Sequence, residues 1–125
     1  MTRRKPQFRI KRIYDPPADE DGFRVLVDRL WPRGISKEKA RIDLWMKAIA
    51  PSDALRRRFH GNPEDWEAFL AAYADELKRE PARSAAAELQ ERLRSGAVTL
   101  LYAARDEARN NAEALRALLA RRAKS

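Results

Sequence analysis

Residues 28–34, DRLWPRG, combine a carboxylate, two guanidinium groups and an aromatic ring. Arg29 and Arg33 could hold an anion through charge-assisted hydrogen bonds, and Trp31 offers a plane against which a flat ring could lie. Asp28 could orient one of these arginines, accept a proton from a substrate or help to bind a metal. Orienting an arginine is the commonest of the three roles, because structural ion pairs are frequent. The segment is therefore a candidate anion site.

A second polar segment, YAARDEARNN, covers residues 102–111. Arg105 is a candidate second clamp for an anion, and Asp106 is a second carboxylate with the same three roles open to it as Asp28. Tyr102 and Asn110 add a hydroxyl and an amide that could bind a polar ligand. The two segments form one composite site only if the fold brings them to the same edge of a sheet.

His60 is the only histidine of the chain and a third candidate catalytic residue. A serine triad would have to use it, but no serine lies in a G-x-S-x-G setting. We expect the imidazole to bond the last carbonyls of a helix, with a role in a site as the alternative. The absence of cysteine excludes thiol chemistry, and the four glycines form no phosphate-binding or dinucleotide motif. The prediction includes no metal and no cofactor.

The composition is that of a single globular domain over residues 1–125, with 44% hydrophobic and 37% charged residues. Much of the net charge of +8 lies at the two ends, where we expect a basic flexible arm at residues 1–7 and a frayed tail at residues 121–125. Basic ends could keep the protein soluble or attract a polyanion such as nucleic acid. No apolar stretch is long enough to cross a bilayer, and we expect a cytoplasmic protein.

The patterning predicts three strands, at residues 8–14, 23–30 and 97–103, of which the last two are near-continuous apolar runs typical of buried strands. Ser36 should cap a helix that carries Ile42, Trp45, Met46 and Ile49 on one face. Further helices are expected to begin at Asn62-Pro63, to cover residues 85–94, and to begin at Asn110, which has capping-box spacing to Glu113, or four residues earlier.

This order of elements predicts an α/β fold, with a small parallel or mixed sheet of about three strands packed by four to five helices. The second and third strands should be parallel, because a helical excursion separates them. The first connection is too short for a usual parallel crossover, so the first two strands should be antiparallel or not adjacent. Parallel strands would place both polar segments at the carboxyl edge of the sheet, where α/β proteins bind ligands.

The stretches VDRLWPRG, LLYAARD and LRRRFHGNPEDWEAF resemble the YeaO-like family of uncharacterised bacterial proteins, within the domain of unknown function 488 class, over residues 11–119. The resemblance implies an α/β fold with family-motif residues at Asp28, Arg29, Trp31, Arg33, His60, Tyr102, Arg105, Asp106 and Asn110. Relatives usually have histidine where this chain has Arg109. Distant members carry cysteine after the last strand, where this chain has Tyr102-Ala103-Ala104, so their thiol chemistry does not transfer.

Three functions are compatible with these observations. The first is binding of a small anionic or phosphorylated ligand at the sheet edge, with or without acid-base chemistry by Asp28, Asp106 or His60. The second is a nucleic-acid-associated module that uses its basic ends. The third is an interaction protein, not an enzyme, whose motif residues form a structural ion-pair network. The sequence does not decide whether the protein is an enzyme.

Overall fold

The computed structural model describes residues 7–59 and 65–123. Its strands are β1 (Arg9–Arg12), β2 (Phe23–Leu26), β3 (Leu44–Trp45) and β4 (Val98–Tyr102). They form one parallel sheet in the order β1-β4-β2-β3. The predicted α/β class is confirmed, as is the parallel pairing of β2 with β4. The first two strands are parallel but not adjacent, because β4 lies between them.

The described ranges contain five α-helices, and two short 3-10 turns, Asp19–Asp21 and Lys47–Ile49, join other elements. The helices are α1 (Lys37–Ala40), α2 (Asp53–Phe59), α3 (Trp66–Leu77), α4 (Ala82–Ser95) and α5 (Asn111–Ala123). The caps predicted at Ser36 and Asn110 are confirmed, since Ser36 Oγ accepts from Lys39 N at 3.1 Å and Asn110 Oδ1 accepts from Glu113 N at 2.8 Å.

Both faces of the sheet are buried, which explains the near-continuous apolar runs of β2 and β4. Leu100 lies in the larger core, beneath α2, α3, α4 and α5, whereas its neighbour Leu101 lies in a smaller core with Leu26 and Ala40 of α1. All five residues of β4 are buried. The two strands predicted to be buried are therefore the two inner strands of the sheet.

The helix predicted over Ile42 to Ile49 is wrong. Arg41, with φ 46°, ends α1 in the left-handed region, and the chain then pairs with β2 as β3. Met46 N donates to Leu26 O at 2.9 Å. The apolar residues with helical spacing face two different cores, since Ile42 and Trp45 pack in the smaller one and Met46 and Ile49 in the larger one.

Other boundaries differ modestly from the sequence prediction. β2 ends at Leu26, so that residues 27–30 already belong to the loop that follows it, and α4 begins at Ala82, three residues earlier than predicted. Residues 1–6 of the expected arm, the expected helix start at residues 62–63 and His60 lie outside the described residues. Of the expected tail, residues 121–123 belong to α5. None of the helices within the described ranges is long and apolar enough to span a membrane.

Candidate functional site

A cavity of about 930 Å³ lies at the carboxyl edge of the sheet. The loops after β1, β2 and β4 supply one part of its wall, and α2, α3 and the start of α5 supply the rest. This is where ligands bind in parallel α/β sheets, because loops and helix N-termini meet there. Its lining includes six arginines, which are Arg12, Arg29, Arg33, Arg56, Arg105 and Arg109.

Asp28 is half-buried in the lining of this cavity and joins three elements. Its Oδ2 accepts from the backbone N–H of Ala103 at 2.9 Å, and its Oδ1 accepts from Asn111 Nδ2 at 2.9 Å. Burial raises the pKa of the Asp28 carboxyl above its ordinary value, although these two hydrogen bonds act in the opposite direction. Both oxygens thus hold the end of β4 and the start of α5 rather than an arginine.

Two of the lining arginines hold backbone carbonyls. Arg12 donates from Nε to Ala104 O at 3.0 Å and from Nη2 to Ala103 O at 3.1 Å. Arg29 donates to the carbonyls of Ala50 and Pro51, at 3.4 Å each. Their guanidinium groups therefore have a structural role in shaping the loops around the cavity.

Arg33 and Arg105 are arranged differently. Both are exposed and line the cavity, and within residues 7–59 and 65–123 neither guanidinium group has a hydrogen bond or an ion pair. The backbone of Arg33 is nevertheless fixed, because Tyr14 Oη donates to its carbonyl at 2.6 Å. These two side chains can donate to an anion without first breaking an internal contact.

Asp106 organises the loop between β4 and α5. Its Oδ1 accepts from the backbone N–H groups of Ala108 and Arg109 at 2.9 Å each, and these bonds lower the pKa of the Asp106 carboxyl. Asn110 Nδ2 donates to Asp106 O at 2.9 Å, so the cap of α5 is tied to the same turn. The loop that carries Arg105 is therefore held at both ends.

Trp31 is half-buried, and its ring both lines the cavity and packs on the smaller core. Its Nε1 donates to Ile35 O at 2.8 Å, and the ring contacts Trp45 edge to face with centroids 5.4 Å apart. Trp45 Nε1 in turn donates to Asp28 O at 2.7 Å. The indole pair therefore supports the loop that contains Asp28.

Seven of the nine predicted site residues line the cavity: Asp28, Arg29, Trp31, Arg33, Arg105, Asp106 and Asn110. Tyr102 is buried in the larger core and is not among the described lining residues, and His60 lies outside the described residues. Within the described part of the chain, no three side chains of the His, Cys, Asp or Glu type cluster to hold a metal ion.

The sequence prediction missed several residues of the site. Arg12 and Tyr14 follow β1, so the rule that carboxyl ends of parallel strands share an edge could have found them. Asn111 stands beside a predicted residue but makes the contact to Asp28. Trp66 and Phe69 have the spacing of a helix core stripe, which gave no signal that they line a cavity, and Phe59 at the end of α2 was not predicted to line it either.

A family model described as the inactive DUF488-N3 subclade matches residues 7–125. The chain is 42% identical to the uncharacterized protein YeaO of Escherichia coli over 102 residues, which are 82% of this chain and 87% of that protein. It is 40% identical to the uncharacterized protein Rv3073c of Mycobacterium tuberculosis over 116 residues, which are 93% of this chain and 96% of that protein. No solved structure matches the chain. The chain thus belongs to the YeaO-like DUF488 family, as its sequence motifs predicted.

Proposed function

We propose that the protein binds a small anionic, phosphorylated ligand in the cavity at the carboxyl edge of its sheet. The observation that carries the proposal is the pair of guanidinium groups at Arg33 and Arg105. Both face the cavity, and neither has a hydrogen bond or an ion pair among the described residues. A phosphate accepts several charge-assisted hydrogen bonds at once, and the planar fork of arginine suits it.

The charge of the cavity supports an anionic ligand. Among the residues that the structure describes, six arginines line it against two carboxylates, those of Asp28 and Asp106. Each of these carboxylates already accepts two hydrogen bonds within the protein. A cavity with this excess of positive charge attracts anions and disfavours cations.

The same hydrogen bonds favour binding without catalysis. A general base needs an oxygen within reach of the substrate proton, whereas both oxygens of Asp28 face protein donors. Asp106 stabilises the turn at residues 106–110 through backbone N–H groups. The description of the matching family as an inactive subclade agrees with a site that holds a ligand without transforming it.

The two other roles considered from the sequence have less support. A nucleic-acid-associated module would depend on basic ends, and residues 1–6 and 124–125 lie outside the described residues. A buried ion-pair network does exist, in which Asp21 contacts Arg24 at 2.5 Å and Lys11 at 3.2 Å. None of its three residues lines the cavity within the described part, so it does not account for the arginines there.

The experiment is a thermal-shift titration with ribose 5-phosphate, using ribose as the neutral probe. Ribose 5-phosphate should raise the melting temperature, since a ligand at 100 times its Kd stabilises the folded state by about 2.7 kcal/mol. Replacing Arg33 or Arg105 by Gln should weaken binding by about tenfold or more, the effect of losing a hydrogen bond to a charged group.

Arg57→Gln is the matched control. Arg57 is exposed on α2 and is not among the described lining residues, so its loss changes the net charge equally and should leave the affinity unchanged. An equal loss of affinity for ribose 5-phosphate in all three variants would mean that the net charge of the protein attracts the phosphate non-specifically. No stabilisation of the wild-type protein by ribose 5-phosphate, inorganic phosphate or related phosphomonoesters would refute the proposal.

A further inference from the structure

Three aromatic rings, those of Phe59, Trp66 and Phe69, line the same cavity as the guanidinium groups of Arg33 and Arg105. They come from the end of α2 and the start of α3, whereas Arg33 and Arg105 come from the loops after β2 and β4. All three are half-buried, so each ring rests partly on the core and leaves part of its surface accessible. We refer to these three rings as the aromatic wall.

The aromatic wall is held in place by its own contacts. Trp66 and Phe69 are stacked with centroids 5.6 Å apart and an interplanar angle of 24°, and Phe59 meets Phe69 edge to face at 5.9 Å. Phe69 also contacts Tyr73, which is fully buried and donates its hydroxyl to Ile49 O at 2.5 Å. The wall therefore forms before a ligand arrives, which reduces the entropy lost on binding.

An inorganic anion would leave most of this cavity unused. Its volume of about 930 Å³ lies near the upper end of the range for pockets that hold whole small molecules. Guanidinium groups recognise the phosphate, whereas accessible aromatic rings recognise a flat apolar group by stacking. The cavity thus offers two kinds of contact from two parts of the fold, and a ligand that uses both must combine the two groups.

We propose that the ligand is a phosphomonoester that carries an aromatic ring, as a nucleoside monophosphate does. The phosphate contacts Arg33 and Arg105, and the ring lies against the aromatic wall. This inference rests on the proposed function and specifies the substrate class of the same site.

The experiment compares adenosine 5′-monophosphate, ribose 5-phosphate and adenosine by isothermal titration calorimetry. Stacking of a base adds about five- to hundredfold to the affinity, so the nucleotide should bind more tightly than the sugar phosphate by a factor in that range. Trp66→Leu should reduce the ratio of the two affinities, nucleotide over sugar phosphate, towards one, while the affinity for ribose 5-phosphate itself stays the same. Phe23→Leu is the matched control, since Phe23 is half-buried at the amino end of β2 and is not among the described lining residues.

The outcomes separate this inference from the proposed function. Equal affinities for the nucleotide and the sugar phosphate in the wild-type protein would overturn the aromatic-ring inference and leave the proposed function intact. A ratio that persists in Trp66→Leu, with the variant folded by circular dichroism, would also overturn it. If neither phosphorylated probe binds, or if adenosine binds as tightly as its monophosphate, the proposed function fails and the inference fails with it.

Discussion

Asp28 and Asn111 lie 83 positions apart in the sequence, and Asn111 Nδ2 donates to Asp28 Oδ1 at 2.9 Å. The same amide donates to Val27 O at 2.8 Å, while the other oxygen of Asp28 accepts from Ala103 N. The end of β2, the end of β4 and the start of α5 therefore meet at one carboxylate. Because these elements carry the lining of the cavity, the shape of the site depends on this contact.

Asp28→Ala should lower the free energy of unfolding by about 1–3 kcal/mol, because the Ala103 N–H would lose its acceptor and the Asn111 amide would lose one of its two. Asp28→Asn should cost less, since the amide keeps one acceptor oxygen. Denaturant unfolding of both variants measures the difference. Asp75→Ala is the control: its side chain is 71% exposed and should change stability by less than about 0.5 kcal/mol. A cost of Asp28→Ala no larger than that of the control would contradict the structural role.

The pKa values of Asp28 and Asp106 should be shifted in opposite directions from the ordinary value of an aspartate. Burial raises the pKa of Asp28, whereas hydrogen bonds from the Arg109 and Ala108 backbone lower the pKa of Asp106. Carboxyl ¹³C NMR should place one pKa above and the other below the ordinary value of about 3.9. Shifts in the same direction would contradict the hydrogen-bonding pattern described for this edge.

The signs of these shifts fix their effects on stability. The folded state binds the Asp28 proton more tightly than the unfolded chain does. The contribution of Asp28 to the free energy of unfolding is therefore greatest below about pH 3.9 and falls as the pH rises through the raised pKa. The Asp106 contribution is present above about pH 3.9 and is lost as the pH falls through the lowered pKa. The stability of the wild-type protein relative to Asp28→Asn should thus decline with rising pH, and relative to Asp106→Asn it should increase.

The sequence predicted the part of the fold that depends on local patterning. Uninterrupted apolar runs identify β2 and β4, since an inner strand of a parallel sheet is buried on both faces. The rule on carboxyl ends then predicts that Asp28 and Arg105 lie at one edge of the sheet, and both line the cavity there. The first prediction uses information within a few residues of each position, whereas the second also uses the order of the elements, since the helices between β2 and β4 indicate that these strands are parallel.

The predictions that were wrong or missing concern features that depend on contacts between residues distant in sequence. β3 has only two residues, and its structure comes from its pairing with β2. The apolar residues of this segment have the spacing of a helix only because Trp45 and Met46 face different cores. Trp66 and Phe69 have the same spacing whether a helix turns them to a core or to a cavity, so only the packing of α2 against α3 reveals the aromatic wall. Neither an apolar run nor the spacing of residues indicates the contact between Asp28 and Asn111.

Gly22→Ala should be among the most damaging single substitutions at the amino end of β2. Gly22 has φ 66°, and a Cβ there would clash with Ala97 O, which also accepts from Phe23 N at 2.9 Å. Left-handed strain and the clash together should cost more than about 2 kcal/mol. Gly34→Ala is the matched comparison: its φ is 77° but nothing lies within 4 Å, so strain alone should cost about 1 kcal/mol. Equal costs in denaturant unfolding would contradict the close approach to Ala97.

Tyr14→Phe should weaken the binding of ribose 5-phosphate severalfold with little effect on folding. The hydroxyl donates to Arg33 O at 2.6 Å, and removal of this partly exposed bond should cost no more than about 1 kcal/mol of stability. The loop that carries Arg33 would then be less ordered before binding, which raises the entropy lost when the guanidinium contacts the phosphate.

A double-mutant cycle with Arg33→Gln separates this effect from other roles of Tyr14, whose ring also lies 5.1 Å from the guanidinium carbon of Arg12. If Tyr14 acts by positioning Arg33, Tyr14→Phe should cause no further loss of affinity once Arg33 is replaced. The same severalfold loss in both backgrounds would show that the tyrosine acts independently of Arg33. Because Phe retains the aromatic ring, its contact with Arg12 stays constant throughout the cycle, and only the hydrogen bond to the Arg33 carbonyl is varied.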